Sequence, residues 1–429
     1  MQAIEKNMKN IFLGPHFLSF LPKEVCLGIV VIDGVATKEC VNLDDSQEPH
    51  QVTGLCRHCV STTFNTFKDA MRIQKKLELG EIHFAKEAEV FCIALNHEGF
   101  TSVIPVCIAP TCKKNDVVHE STDTVREIIS TIMRKWFTLP ISKTVIMSTV
   151  ASDGAPQFRK AAGQVLNKDL PKNVRDVYIS PQGAKRCLLL DLIGSSEGVT
   201  ATCDNDHLGK RFRARVKSVC GLKIGVFIFT KSDISLLMGK TRIVSSPKAA
   251  HKLFHPDDLM DVLETVLCLH AVGRLSNIPF SAFPVDWRSV SENQQKFKEM
   301  RVLGLVSKLM CVSIVGHYDN VQEEGNHLSI SEYLTMLSEL AHVLFFLFRR
   351  NKTDFIATQN YRNWQEMIKN MFISVTLAKV NGVKHFYWFL NTNKKIEEFF
   401  GILRSMRKGN LNFDCLDLRN RAADAGLVQ

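Results

Sequence analysis

The spacing of apolar and polar positions divides the chain into stretches of different rhythm. Short apolar runs dominate the beginning. "CLGIVVIDGVA" (26–36) is an apolar, β-branched run ending in an acid, which predicts a buried strand with Asp33 at its C-terminal end. "HQVTGLC" (50–56), "AEVFCIALN" (88–96) and "TSVIPVCIA" (101–109) predict further strands. Between them, "TTFNTFKDAMRIQKKLEL" has helical spacing. "STDTVREIISTIMRKWF" (121–137) reads as an amphipathic helix that opens on side-chain oxygens suited to an N-cap. "KTVIMSTVASDG" (143–154) is a second apolar run closing on an acid, Asp153, and a helix is expected from about Pro156. "KRCLLLDLIG" (185–194) predicts one more strand.

Beyond about residue 220 the period lengthens. Residues 256–275, 292–317, 329–351 and 360–380 all carry helical periodicity, and Pro279 and Pro284 mark a loop at 276–287. The end returns to the first pattern. "KHFYWFLNT" (384–392) predicts a strand, and "NKKIEEFFGILRSMRKGN" (393–410) a helix with Glu397, Phe400, Leu403 and Arg404 on related faces. The organisation expected is α/β: residues 1–220 with strand-end acids, a helical domain over 221–382, and a closing strand and helix over 383–429.

Composition narrows this picture. Of 429 residues, 45% are hydrophobic and 23% charged, which excludes disorder over most of the length. The net charge of +10 favours anionic partners, nucleic acid first. The 13 cysteines follow no small-scaffold spacing and fit free thiols in a reducing compartment, the nucleus or cytoplasm. The first residues offer no uninterrupted apolar segment with a small-residue cleavage site, so no secretory leader is expected. "LGIVVI" and "VLFFLF" are too short to span a bilayer, and no membrane partner is expected.

Candidate chemistry lies in the acids and in one abrupt change of sign. Asp33 and Asp153 follow strands, and Glu397 stands on a late helix. Carboxylates gathered within a few ångströms repel one another unless cations neutralise them, and Mg²⁺ favours such oxygen ligands. Two such ions roughly 3.5–4 Å apart can activate a hydroxyl and stabilise the leaving oxygen in phosphodiester transfer. Taken singly, an Asp after a strand is more often a turn or cap residue. "CDNDHLGKRFRARVK" (203–217) sets Asp204, Asp206 and His207 directly before Lys210, Arg211, Arg213, Arg215 and Lys217. Its bland reading is a solvated basic helix with a capping Asp.

Four stretches taken in order resemble DNA transposases with an RNase H-like core, of the P-element-like and hAT-like groups and their fungal relatives. "VVIDGVA", followed by "GLCRHC", resembles the strand of the first acid and the next strand. "ASDGAPQFRKA" resembles the segment of the second acid and its helix, and "CDNDHLGKRFR" a D-x-x-H-x-x-K-x-x-R segment. "IEEFFGILR" resembles the closing helix with the third acid. The resemblance implies an RNase H-like mixed sheet interrupted by a large all-helical insertion, which would occupy much of the 244 residues between Asp153 and Glu397. It implies a catalytic triad of Asp33, Asp153 and Glu397 holding Mg²⁺ or Mn²⁺, with Asp204 and His207 as auxiliary residues. Lys210, Arg211, Arg213 and Arg404 would meet DNA phosphates, and a homo-oligomer in the nucleus would be in keeping. The match starts near residue 26, implying a copy truncated before the core. Gly34 and Lys394 stand where those proteins often carry acids.

Weaker signals give way to structural readings. Cys56-x-x-Cys59 with Cys107 and Cys112 could hold zinc, but the uneven spacing favours free thiols. "HKLFH" (251–255) lacks an acid ligand, and "MGKT" (238–241) lacks the first glycine of a phosphate loop. Two functions remain open at this point: Mg²⁺-dependent DNA hydrolysis and strand transfer, or a non-catalytic DNA- or protein-binding remnant of a transposase.

Overall fold

The structure, a computed structural model, describes residues 1–15, 22, 24–44, 51–57, 66–100, 103–114, 117–118, 122–166, 199–240, 261–315, 328–392, 394–406 and 413–427. The expected strand at 185–194, Cys59 and the His251–His255 pair lie outside these residues. The chain divides into two compact units. The first comprises Met1–Leu170, Ile193–Thr202 and Ile373–Gln429, and the second Pro171–Leu192 and Cys203–Phe372.

The first unit is built on β1 (Cys26–Ala36), β2 (Asn42–Asp44), β3 (Gln51–Thr53), β4 (Glu87–Asn96), β5 (Val103–Thr111), the small ladder β6 (Lys113–Lys114) and β7 (Val117–Val118), β8 (Val145–Ser152) and β9 (Thr200–Cys203). Five strands form one sheet in the order β5–β4–β1–β8–β9, with β1 antiparallel to β4 and parallel to β8. β2 and β3 pair as a separate hairpin. The helices are α1 (Gln2–Phe12), α2 (Phe67–Glu78), α3 (Thr122–Thr138) and α4 (Pro156–Leu166), then α12 (Lys394–Ser405) and α13 (Cys415–Leu427).

The unbroken apolar run of β1 is explained by burial on both sides. Val30 and Ile32 join the core formed with α1, α3 and α4, where Trp136 meets Phe12 edge-on at 5.1 Å. Ile29, Val31 and Val35 join the core on the opposite face, with Ile396, Phe399, Phe400 and Leu403 of α12 and Leu418 of α13. This is the mixed sheet of an RNase H-like core. Pro105 and Pro110 are tolerated in β5 because that strand lies at the sheet edge.

Residues 384–392 do not form the expected strand. β4 is already paired on both sides, by β5 and β1, so the aromatic run finds no free edge there. The Asn96 side chain instead bonds Tyr387 on both sides, donating to its carbonyl at 2.8 Å and accepting from its N–H at 2.9 Å. A single turn of 3₁₀ helix follows at Trp388–Leu390.

The second unit contains α5 (Asn205–Lys217), a hairpin of β10 (Leu222–Ile224) and β11 (Phe227–Phe229), α6 (Lys231–Lys240), α7 (Asp261–Gly273), α8 (Val285–Ser289), α9 (Ser291–Val315), α10 (Ile330–Asn351) and most of α11 (Thr358–Val380). It is mostly helical, and the hairpin is an addition that periodicity did not reveal. Gly304 sits within α9 although glycine weakens helices. A Cβ there would stand 2.3 Å from the backbone nitrogen of Ser276, so the close approach requires it. Ser329 and Glu332 form a capping box at the start of α10. By length and composition the stretch Ile330–Asp354 could cross a membrane, although the short apolar runs of the sequence predicted no such segment. Tyr333, Leu337, Leu340, Leu344 and Leu347 of this helix are nevertheless buried in the fold.

Candidate active site

Backbone register places the first two acids side by side. β1 and β8 run parallel, and Ile32 stands opposite Ser152. Asp33, still within β1, and Asp153, the first residue after β8, come next in sequence, and neighbouring strands lie about 4.8 Å apart. A bulge interrupts the pairing upstream of them. The register shifts at Gly28/Ile29, which leaves Ser148 as an extra residue; its hydroxyl donates to the Gly28 carbonyl at 3.2 Å. Before the bulge, Val145 and Met147 pack into the α1–α3–α4 core; after it, Val150 takes that side and Ala151 the other. Asp33 alternates with Ile29, Val31 and Val35 on one face of β1, and Asp153 follows Ala151 and Ser152 at the end of β8. Bulges beside functional sites commonly re-aim a side chain.

Both acids are half-buried and anchored locally. Asp33 Oδ1 accepts from the Gly34 N–H at 2.8 Å. Asp153 Oδ1 accepts from the Ala155 N–H at 2.8 Å, across a turn in which Gly154 adopts φ +79°. That turn delivers the chain to Pro156, the first residue of α4, where a proline's fixed φ suits a helix start.

Glu397 lies in the first turn of α12, half-buried on the flank of the apolar stripe Ile396, Phe399, Phe400 and Leu403. The stripe rests on the sheet face of Ile29, Val31 and Val35. Lys395 fixes the same turn: its buried ammonium donates to the carbonyls of Leu95 at 2.7 Å and Phe100 at 2.6 Å. Burial draws Lys395 down to about 8. The fold thus sets Asp33 on β1, Asp153 directly after the neighbouring β8, and Glu397 on α12, which packs on one face of that sheet.

Sequence reasoning missed Glu89. It pairs with Gly34 on the neighbouring strand and is 1% exposed. Burial pushes it up to about 7; Arg57, 3.6 Å away, opposes the shift, while Glu87 and Asp153 add to it. Burial also lowers Arg57 from its ordinary value. Gly34 leaves room for the Glu87 carboxylate, since a Cβ there would stand 2.5 Å from Glu87 Oε1. The only signal for Glu89 was one acid inside the apolar run "AEVFCIALN", where alternation alone reads as a solvated position.

In the second unit, Asp204 is the N-cap of α5, accepting from the Asp206 N–H at 3.2 Å. Its buried carboxylate also lies 3.9 Å from His207 Nε2. Lys210, Arg211 and Arg213 are half-buried on α5, and Arg404 of the first unit is exposed. Arg215 is tied to the second unit's own backbone. Its guanidinium donates to the carbonyls of Thr353, Asp354 and Phe355 at 3.4, 2.9 and 3.3 Å, tying α5 to the turn after α10.

Among solved structures, the chain is similar to the Drosophila P element transposase strand transfer complex, at 11% sequence identity and a TM-score of 0.52, with 99% of this chain and 91% of that chain covered. The fold is transposase-like. No protein-family model and no curated protein sequence matches the chain.

Proposed function

We propose that the chain is a transposase-derived protein that binds DNA and cleaves its phosphodiester bonds through Asp33, Asp153 and Glu397. The observation that carries this reading is the parallel pairing of β1 with β8, whose last registered pair, Ile32 and Ser152, immediately precedes Asp33 and Asp153. Two half-buried carboxylates one strand apart are an all-oxygen donor set, which suits a hard divalent cation such as Mg²⁺ or Mn²⁺. When bound, such ions activate a water or 3′-hydroxyl and stabilise the leaving oxygen. The protein's own part is to hold the carboxylates oriented: backbone N–H groups bond Asp33 and Asp153, and Lys395 holds the turn that carries Glu397. Asp204 and His207 are assigned auxiliary roles, with His207 orienting a carboxylate or the scissile phosphate. Lys210, Arg211, Arg213 and Arg404 are assigned to the DNA backbone, where each neutralised phosphate adds salt-sensitive affinity. Placement among P-element-like, hAT-like or fungal transposases rests on motif order alone.

One observation favours a second reading, a non-catalytic DNA-binding remnant: Gly34 and Lys394 stand where transposases of this kind often carry acids. A nicking assay on branched and hairpin DNA with Mg²⁺ or Mn²⁺ separates the two. The catalytic reading expects metal-dependent nicking that Asp153→Asn abolishes. Binding without nicking in either form supports the remnant.

A further inference from the structure

We propose that α2 is a second nucleic-acid contact, one that grips a DNA strand through its phosphates and stacks an unpaired base on Phe67. The inference goes beyond the cleavage reading and does not need the carboxylates to be active.

α2 has a divided surface. Ile73 and Leu77 form its inner stripe, packing with Val41 and Val52 on and beside the β2–β3 hairpin, and Ala70 and Leu43 line a small cavity beside them. The helix is therefore already docked, and its remaining faces are outward. Phe67 is 78% exposed and Met71 54%, one turn apart. Exposed Lys68, Arg72 and Lys75 and half-buried Lys76 lie on the adjoining stripe at helical spacing. The two acids of the helix are engaged locally. Asp69 accepts from the Thr66 hydroxyl and N–H, each at 3.0 Å, and pairs with Arg72 at 3.0 Å; Glu78 accepts from Gln74 at 3.0 Å.

An outward aromatic ring beside a row of bases fits a polyanion that also presents flat apolar faces. A single DNA strand does so: its phosphates meet ammonium groups, and its bases stack on aromatic rings regardless of sequence. A membrane surface fits less well, because membrane-lying helices insert a broad apolar face, and here that face is spent on the hairpin. Charge complementarity with the phosphate backbone selects DNA.

The test is fluorescence anisotropy of a labelled thymidine 20-mer and of a duplex of equal length, in EDTA to prevent cleavage, at several salt concentrations. Wild type is expected to bind the single strand. Replacing Lys68, Lys75 and Lys76 by Gln should reduce the salt slope of that binding by about 2, since each phosphate contact contributes roughly 0.7. The same positions changed to Arg should keep the slope. Phe67→Ala should weaken single-strand binding by roughly 5- to 150-fold, the worth of one stacked base, leave the slope unchanged and barely affect the duplex. Equal slopes for the wild type and the Gln variant, with melting temperatures matched, would overturn the proposal. So would loss of phosphatidylserine vesicle binding in Phe67→Ala with DNA binding intact. Failure to nick DNA in the earlier assay would leave this result standing, because the readout is binding alone.

Discussion

Glu89 makes a quantitative prediction about pH. Its carboxyl is buried and pushed up to about 7 from an ordinary value of 4.5. The folded state therefore keeps this proton while the unfolded chain releases it. Stability must fall as pH rises from about 4.5 and level off above about 7, because the unfolded state binds fewer protons across that window. A shift of about 2.5 units corresponds to about 3 kcal/mol. Glu89→Gln keeps the shape and removes the titration. Urea unfolding of both proteins from pH 4.5 to 8 should give stability curves that diverge by about that amount, with the wild type losing ground toward pH 8. Parallel curves would refute the reasoning. A second arm ties Glu89 to the candidate site, since the Asp153 charge is one cause of the shift. Asp153→Asn should lower the Glu89 midpoint in a carbon-detected NMR titration, and an unmoved midpoint would separate the two residues.

Three further predictions follow from single contacts. Arg215→Ala should destabilise the protein by about 1–3 kcal/mol, because backbone carbonyls lose a charged donor, while leaving the salt slope of DNA binding unchanged; Lys210→Gln should do the reverse. Gly304→Ala should lower stability by about 1–3 kcal/mol despite alanine's better helix propensity, since the added methyl meets the backbone of Ser276; a raised melting temperature would contradict the close approach. Lys395→Met should remove a gain in stability between about pH 8 and 10.5. In the wild type the folded ammonium gives up its proton before the unfolded one does, so stability rises with pH there.

The carrying strands were legible because they are buried on both faces, which produces apolar runs that no surface element imitates. β1 lies at 26–36 and β8 at 145–152; Asp153 follows its strand as the run predicts, whereas Asp33 lies inside β1, which pairs on with β4 as far as Ala36. What periodicity could not supply was facing. Nothing in "KTVIMSTVASDG" announces that Ser148 is an extra residue, yet that bulge decides which sides Val150 and Ala151 take. The run at 384–392 misled for a related reason: aromatic residues mark strands only where a sheet edge is open, and the neighbours of β4 are taken. α13 went unread although Asp414 caps it through the Asp417 N–H, because its apolar positions are few and partly alanine. In "CDNDHLGKRFRARVK" the bland and functional readings each hold a share. Asp204 is a helix cap, as propensity suggests, and Arg215 is a structural tie.

Divalent-cation binding by the paired aspartates is best read by titrating Mn²⁺ into the wild type, Asp33→Asn, Asp153→Asn and Glu397→Gln and following the free ion by electron paramagnetic resonance. Each Asp→Asn change is expected to weaken binding by more than roughly tenfold, the loss that even an outer-sphere partner can bring. Affinity equal in all four proteins would contradict a metal site between β1 and β8.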